Sequence, residues 1–254
     1  MPPKLHVVRH AQGEHNATRN YTLRDPLITA KGKLQCQHLS RTFTHHGDID
    51  IIFSSPLRRT IQTAAYSFGP TLARKEVPFV LLPGLQEVSD LGCDVGPDAA
   101  ELEQAVHDLF DGEELGFDWK EKKIDFRNVE SGWNSKKGYW AYEKSALLKR
   151  AVDLRNWLFC RHEANIVIVT HGAIAHFITE DWDVDDPMTG TAYRNCEVRE
   201  FSFTEASTAE DAHLEETAAS KAARPKDEAK WRESDEHVIE ELEHAVHPKA
   251  PHEA

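Results

Sequence analysis

Arg9 and His10 close the stretch KLHVVRH, Arg58 and Arg59 follow IDIIFSSPL, and His171 ends NIVIVTHG. Each time, an apolar run finishes in side chains that a buried strand has no use for. Brought together, Arg9, His10, Arg59 and His171 are four cationic or potentially cationic groups, which repel one another unless an anion sits among them. Phosphate suits that place, because arginine forks match its oxygens and helix N-termini add backbone donors. A neutral imidazole can attack phosphorus, splitting one difficult transfer into two easier ones. The arginines and the second histidine would then steady the charge on the equatorial oxygens. A leaving alkoxide still needs a proton, and Glu87, in LPGLQEVSD, stands where a loop can deliver it. That task requires a carboxyl pKa raised by partial burial. Singly, each of these side chains has an ordinary structural reading; their joint placement carries the inference.

The elements that must position them are legible in the apolar patterning. Residues 4–10, 49–55, 77–82 and 165–172 read as short apolar strands, and residues 197–203 (EVREFSF) alternate as an edge strand does. Between them, residues 28–43 have helical spacing with Leu34, Leu39 and Phe43 on one face, and Pro56 opens a second helix. Residues 97–110 and 141–162 read as further helices. Strands alternating with helices predict an α/β fold, a three-layer α/β/α sandwich with a mostly parallel central sheet. Ligands of such sheets bind beyond the carboxyl ends of the strands, which is where the four cationic groups fall. Residues 93–141, rich in aromatics, are expected to form a helical and irregular cap-like insertion near the pocket.

The chain has 254 residues and a formal net charge of −13. That balance argues against a nucleic-acid partner, which calls for a basic face. No run of about 20 apolar residues exists to cross a membrane, and MPPKLHVVRH lacks an export signal, so a cytoplasmic location is expected. Cys36, Cys93, Cys160 and Cys196 are far apart without a CxxC, and are read as reduced thiols. From residue 205 to 254 the chain turns charge- and alanine-rich, which suits a helical or disordered tail following a domain of residues 1–204. Trp231, Val238, Ile239, Leu242 and Val246 in that tail could form a helical stripe that packs on the domain or makes a homodimer.

The segments RHAQGEHN, PLITAKGKLQ, SSPLRRTIQTA, LQE and VTHG resemble, in this order, the motifs of the histidine phosphatase superfamily in its phosphoglycerate mutase-like branch. The resemblance covers residues 4 to about 180. It implies that His10 is the nucleophile that becomes phosphorylated, that Arg9 and Asn16 hold the phosphoryl group, and that Glu87 is the proton donor. It also matches Arg59, rather than Arg58, to the family's arginine and His171 to the second pocket histidine, with Gly172 bringing a backbone N–H close to phosphate. No cofactor and no metal are implied. Three positions depart from the family pattern: Ala11 stands in place of a usual glycine, Thr60 in place of alanine, and Ile28 in place of leucine. None removes a reactive group, although Ala11 would be strained if that position required a positive φ.

The resemblance points to a phosphorylated small-molecule substrate. The mutases of the family carry an ERRxYG segment with no obvious counterpart here, so hydrolysis is favoured over phosphoglycerate-type mutase activity. In GWNSKKGYWAYEK, Trp133 and Tyr139 offer aromatic walls and Lys136 or Lys137 a second charge. Two other readings stay open: a non-catalytic protein that binds a phospho-ligand, and a metal-dependent hydrolase using HHGDID (residues 45–50).

Overall fold

The central strands are unbroken apolar runs because both of their faces are covered. The computed structural model describes residues 1–120, 123–181 and 193–224. Its strands are β1 (Lys4–Arg9), β2 (Ile51–Ser54), β3 (Phe79–Leu81), β4 (Ile124–Asp125), β5 (Asn165–Thr170), β6 (Val198–Phe203) and β7 (Leu214–Glu216). They form one sheet in the order β4-β3-β2-β5-β1-β6-β7. The pairings among β1 to β5 are parallel, while β6 runs antiparallel to β1 and to β7. The helices are α1 (Glu14–Thr18), α2 (Ala30–Thr42), α3 (Arg58–Ser67), α4 (Gly69–Leu72), α5 (Ala99–Phe110), α6 (Lys144–Phe159), α7 (Gly172–Thr179) and α8 (Ala218–Ala223).

Alternate residues of each strand feed opposite layers. Leu5, Val7, Phe53, Ile166 and Ile168 pack with Leu147, Leu154 and Leu158 of α6 and with α7. Val8, Ile52, Val167 and Val169 pack with Leu39 of α2, Ile61 and Ala64 of α3, and Leu102 and Phe110 of α5. Full burial of one such side chain is worth roughly 1.5–3 kcal/mol. A one-residue slip would exchange the two faces of a strand, so the register is firmly set. It sets Arg9 beside Thr170 and Ser54 beside Val169. His10, Ser55 and His171 therefore leave the sheet side by side, at the carboxyl ends of β1, β2 and β5.

Three expectations need correction. The buried face of α2 carries Cys36 and Leu39, with Phe43 just beyond; Leu34 is 64% exposed. Residues 36, 39 and 43 follow the helical repeat, whereas 34 and 39 do not share a face. Residues 93–141 are more than a cap, because α5 covers the sheet and β4 is its edge strand. The boundary at residue 204 also falls inside the folded unit. Strand β7 pairs with β6, and Arg155 Nε donates to Ala212 O at 2.7 Å. LEE reads as polar because its buried Glu216 is held by Ser220 and Arg224. The stripe from Trp231 to Val246, and the homodimer contact read from it, lie outside the described residues. No helix among the described residues is long and apolar enough to cross a membrane.

Candidate active site

Backbone pairing places His10 first. Its N–H donates to Thr170 O at 2.9 Å, extending β1 past its last residue. Its Nδ1 lies 2.7 Å from Ala11 O. A carbonyl only accepts, so Nδ1 carries the proton and the lone pair is left on Nε2. Ala11 is fully buried, gives its N–H to Thr63 Oγ1 at 2.9 Å, and has no positive φ, so its methyl group is accommodated without strain. Thr60, the second departure, bonds Ser55 O and Leu57 O in the first turn of α3.

His171 caps the N-terminus of α7, and its Nε2 lies 2.9 Å from Ser55 Oγ. The rings of His10 and His171 are 5.1 Å apart, and His15, also buried, lies 5.7 Å from His10. Burial first, then the charges of Arg59 and Arg9, hold His10 well below the ordinary imidazole pKa. Burial, Arg59, His10 and Lys136 do the same to His171. Both imidazoles are neutral at pH 7, the state a nucleophile needs.

The two arginines that open α3 diverge. Arg58 turns outward onto Asp25, with Nε 3.1 Å from Oδ2. Arg59 turns inward and is 1% exposed; its Nη1 donates to Cys93 O at 2.6 Å and its Nη2 to Asp94 Oδ1 at 2.7 Å. A guanidinium has five N–H donors. Two are engaged, and the Nε–H has no partner, so donors remain for an oxyanion. Arg9 is buried too, its Nη1 bonded to Tyr193 O.

Glu87 sits at the N-terminus of α7. Its Oε1 accepts from Ile174 N at 2.9 Å and Val88 N at 3.0 Å, and Oε2 accepts from Ala173 N at 3.2 Å. Burial and then Asp94 push its pKa up; the amides and Arg59 pull it back only in part. Gly172, the first residue of α7, is buried between His171 and the two amides that Glu87 takes.

The remaining candidates divide. Asn16 caps α1 locally, its Oδ1 accepting from Gly13 N at 3.0 Å. Lys136 joins the cluster, donating from Nζ to Glu87 O at 2.7 Å, with its backbone at φ 53°. Trp133 is 1% exposed, packs its ring against Gly96 and accepts from Gln86 Nε2 at 2.7 Å through its carbonyl, so it is a buried side chain rather than an open wall. Tyr139 points away: it packs on Trp140 and near Lys149 of α6. The segment of residues 45–50 lies at the opposite end of β2, where both ring nitrogens of His46 are occupied by Thr71 and Ser40.

Sequence reasoning missed Asp94, Ser89, Arg150 and His15. Asp94 pairs with Arg59 and accepts from Ser89 Oγ at 2.5 Å. One signal was available, since a buried arginine demands a counter-charge and Asp94 is an acid in the loop that carries Glu87. Arg150, 1% exposed, donates to Gln86 O at 3.1 Å. Lys136 holds the next carbonyl of the same loop. Chemically, the arrangement is an electropositive cradle around two neutral imidazoles, with one protonatable carboxyl beside it.

Known proteins resemble this one in sequence and in fold. A probable phosphatase of Schizosaccharomyces pombe is 31% identical over 103 residues, 39% of this chain and 48% of that one. The match thus spans about half of that relative's length. Phosphoglycerate mutase-like protein 1 of Arabidopsis thaliana is 28% identical over 227 residues, 77% of this chain and 79% of that one. The solved structure of a mycobacterial glucosyl-3-phosphoglycerate phosphatase with VO3 superposes with a TM-score of 0.52 at 15% identity, covering 85% of this chain and 98% of that one. At that identity the likeness speaks to the fold. The model of the histidine phosphatase superfamily (branch 1) matches residues 5–213, and the chain belongs to that family.

Proposed function

We propose that the protein hydrolyses small-molecule phosphate monoesters through a phosphohistidine on His10. The observation that carries this reading is the state of His10: Nδ1 committed to Ala11 O, the ring neutral, and Nε2 left as the nucleophilic nitrogen beside Arg59 and His171. In the first step Nε2 attacks phosphorus in line with the ester oxygen. Glu87, its pKa raised by burial and then by Asp94, gives its proton to the leaving alkoxide. Arg9, Arg59, Asn16, His171 and the Gly172 amide take the equatorial oxygens. In the second step Glu87, now a carboxylate, accepts a proton from the water that attacks the phosphohistidine. Inorganic phosphate leaves, and His10 is restored. The phosphatase names among the relatives support hydrolysis over transfer.

The experiment is phosphate release from a panel of phosphorylated metabolites, with rapid quenching to trap an acid-labile phosphoenzyme. His10→Ala should fold normally and lose turnover by several orders of magnitude, as removal of a nucleophile does. A folded variant retaining more than about a hundredth of wild-type turnover would refute the covalent route.

A further inference from the structure

Cys36 on α2 and Cys196, in the turn just before β6, are separated by 160 positions in sequence, yet their sulfurs stand 3.8 Å apart. Cys36 is fully buried, while Cys196 is partly exposed and lines a groove of about 890 Å³ between α2, β6 and α8. Solvent and small oxidants therefore reach one member of the pair. The hydrogen bond between the two sulfurs, with Ser67 and Thr63 helping, lowers the Cys36 pKa and, together with burial, raises that of Cys196, so Cys36 is the thiolate of the pair and Cys196 its accessible thiol.

Cys196 also belongs to the segment that carries the nucleophile's strand. Its N–H donates to Arg9 O at 3.0 Å, and its backbone is held at φ 60°, a region a non-glycine residue adopts only under constraint. Its neighbour Asn195 donates from Nδ2 to His10 O at 2.9 Å. Tyr193 O receives Arg9 Nη1, and Glu197 O receives Arg9 N at 3.3 Å. Tyr193, Asn195, Cys196 and Glu197 thus hold Arg9 and His10.

We propose that Cys36 and Cys196 are a peroxide-sensitive thiol pair whose disulfide displaces this segment and slows the enzyme. Hydrogen peroxide would oxidise the accessible Cys196 thiol to a sulfenic acid and release one water. The Cys36 thiolate would then attack the sulfenic sulfur, forming the S–S bond and expelling hydroxide, which takes up the Cys36 proton as a second water. In sum, two thiols lose two electrons and one peroxide becomes two waters. A disulfide needs its sulfurs about 2.05 Å apart, so the pair must close by about 1.8 Å. Cys36 is held in a packed helix, so the closure falls on the loop segment of Cys196 and on the Arg9 and His10 backbone bonded to it. A shift of that size, passed to Arg9 and His10, is enough to spoil their alignment.

The test treats the full chain with hydrogen peroxide, maps disulfides by mass spectrometry without reduction, and assays turnover before and after dithiothreitol. We expect a peptide linking Cys36 to Cys196, a fall in turnover of about tenfold or more, and full recovery on reduction. Cys36→Ser and Cys196→Ser should each match untreated wild type and resist peroxide; two variants guard against one failing to fold. Absence of the linked peptide overturns the pairing. A linked peptide with unchanged turnover overturns the regulatory consequence, and equal sensitivity in both serine variants assigns the loss to another residue. The loss of turnover rests on the phosphatase reading, whereas the linked peptide is read without any activity, so the two can fail separately.

Discussion

Asp94→Asn tests the electrostatics of the site most directly. Asp94 and Arg59 are paired at 2.7 Å and are 2% and 1% exposed, so water relieves neither charge. Breaking a buried pair by removing one charge costs about 3–5 kcal/mol. Asparagine keeps an acceptor for Arg59, which puts the expected loss near the lower end, about 3 kcal/mol. Against a typical stability of about 5–15 kcal/mol, that is visible as an earlier midpoint in urea. The same substitution acts on Glu87. Burial is the main reason its pKa is raised, and the negative charge of Asp94 is the next. Without that charge Glu87 ionises at lower pH, so the protonated acid disappears sooner as pH rises. The basic limb of kcat/KM for an alkyl phosphate should move to lower pH. Comparing variant and wild type on one substrate cancels the substrate's own ionisation. Bound inorganic phosphate should restore the lost counter-charge and stabilise the variant more than the wild type. A basic limb that stays in place, or moves upward, would refute the coupling between Asp94 and Glu87.

Three further outcomes follow from the geometry. Arg59→Ala should lower kcat about 10² to 10³-fold, as loss of an oxyanion donor does, while Arg58→Ala, which faces Asp25, should leave kcat nearly unchanged; equal losses in steady-state assays would contradict the divergence of the two side chains. Glu87→Gln should slow single-turnover phosphorylation of His10 by about 10² to 10⁴ with an alkyl phosphate but hardly with a nitrophenyl phosphate, whose phenolate leaves unaided; equal slowing would assign the proton to another group. Burial depresses the His6 pKa to about 4 in the folded chain, from 6.5. The unfolded state therefore takes up the proton first, and stability present above about pH 6.5 is lost as pH falls toward 4, by about 3 kcal/mol. Urea midpoints measured across that range should fall less steeply in His6→Leu, and an unchanged slope would remove His6 as the cause.

The strands and the motif side chains were legible for one physical reason: they contradict their surroundings. An arginine and a histidine ending an apolar run, as Arg9 and His10 do after HVV, announce a buried edge with charge on it. The same contrast marks His171 after IVIVT. What the sequence hid are groups that agree with their neighbours locally and matter only after folding. Asp94 sits in GCDVG like any loop acid, and its partner Arg59 is 35 positions away. Arg150 lies on a helix among lysines and leucines, yet turns inward onto Gln86, 64 positions away. Strand β7 was hidden for a related reason, because Glu216 is charged in sequence and neutralised only by Arg224 and Ser220 in space. Tyr139 erred the other way: its residue type suits a pocket wall, but the short helical turn that carries it faces α6.

The division has a mechanistic consequence. The legible residues, Arg9, His10, Arg59, His171 and Glu87, are those that would meet phosphate, and their identities are fixed by chemistry that tolerates little change. The hidden ones set the charge and position of that group. Asp94 helps burial to raise the Glu87 pKa, while Arg150 and Lys136 hold the successive carbonyls of Gln86 and Glu87. A proton donor would need a carboxyl both protonated and aimed; burial does most to raise the Glu87 pKa and backbone amides hold its oxygens, while Asp94, Lys136 and Arg150, all outside the motifs, add charge and fix its loop. Variation at Asp94, Lys136 or Arg150 should therefore retune the pH range and leaving-group preference of the site without erasing its chemistry, whereas variation at His10 erases it.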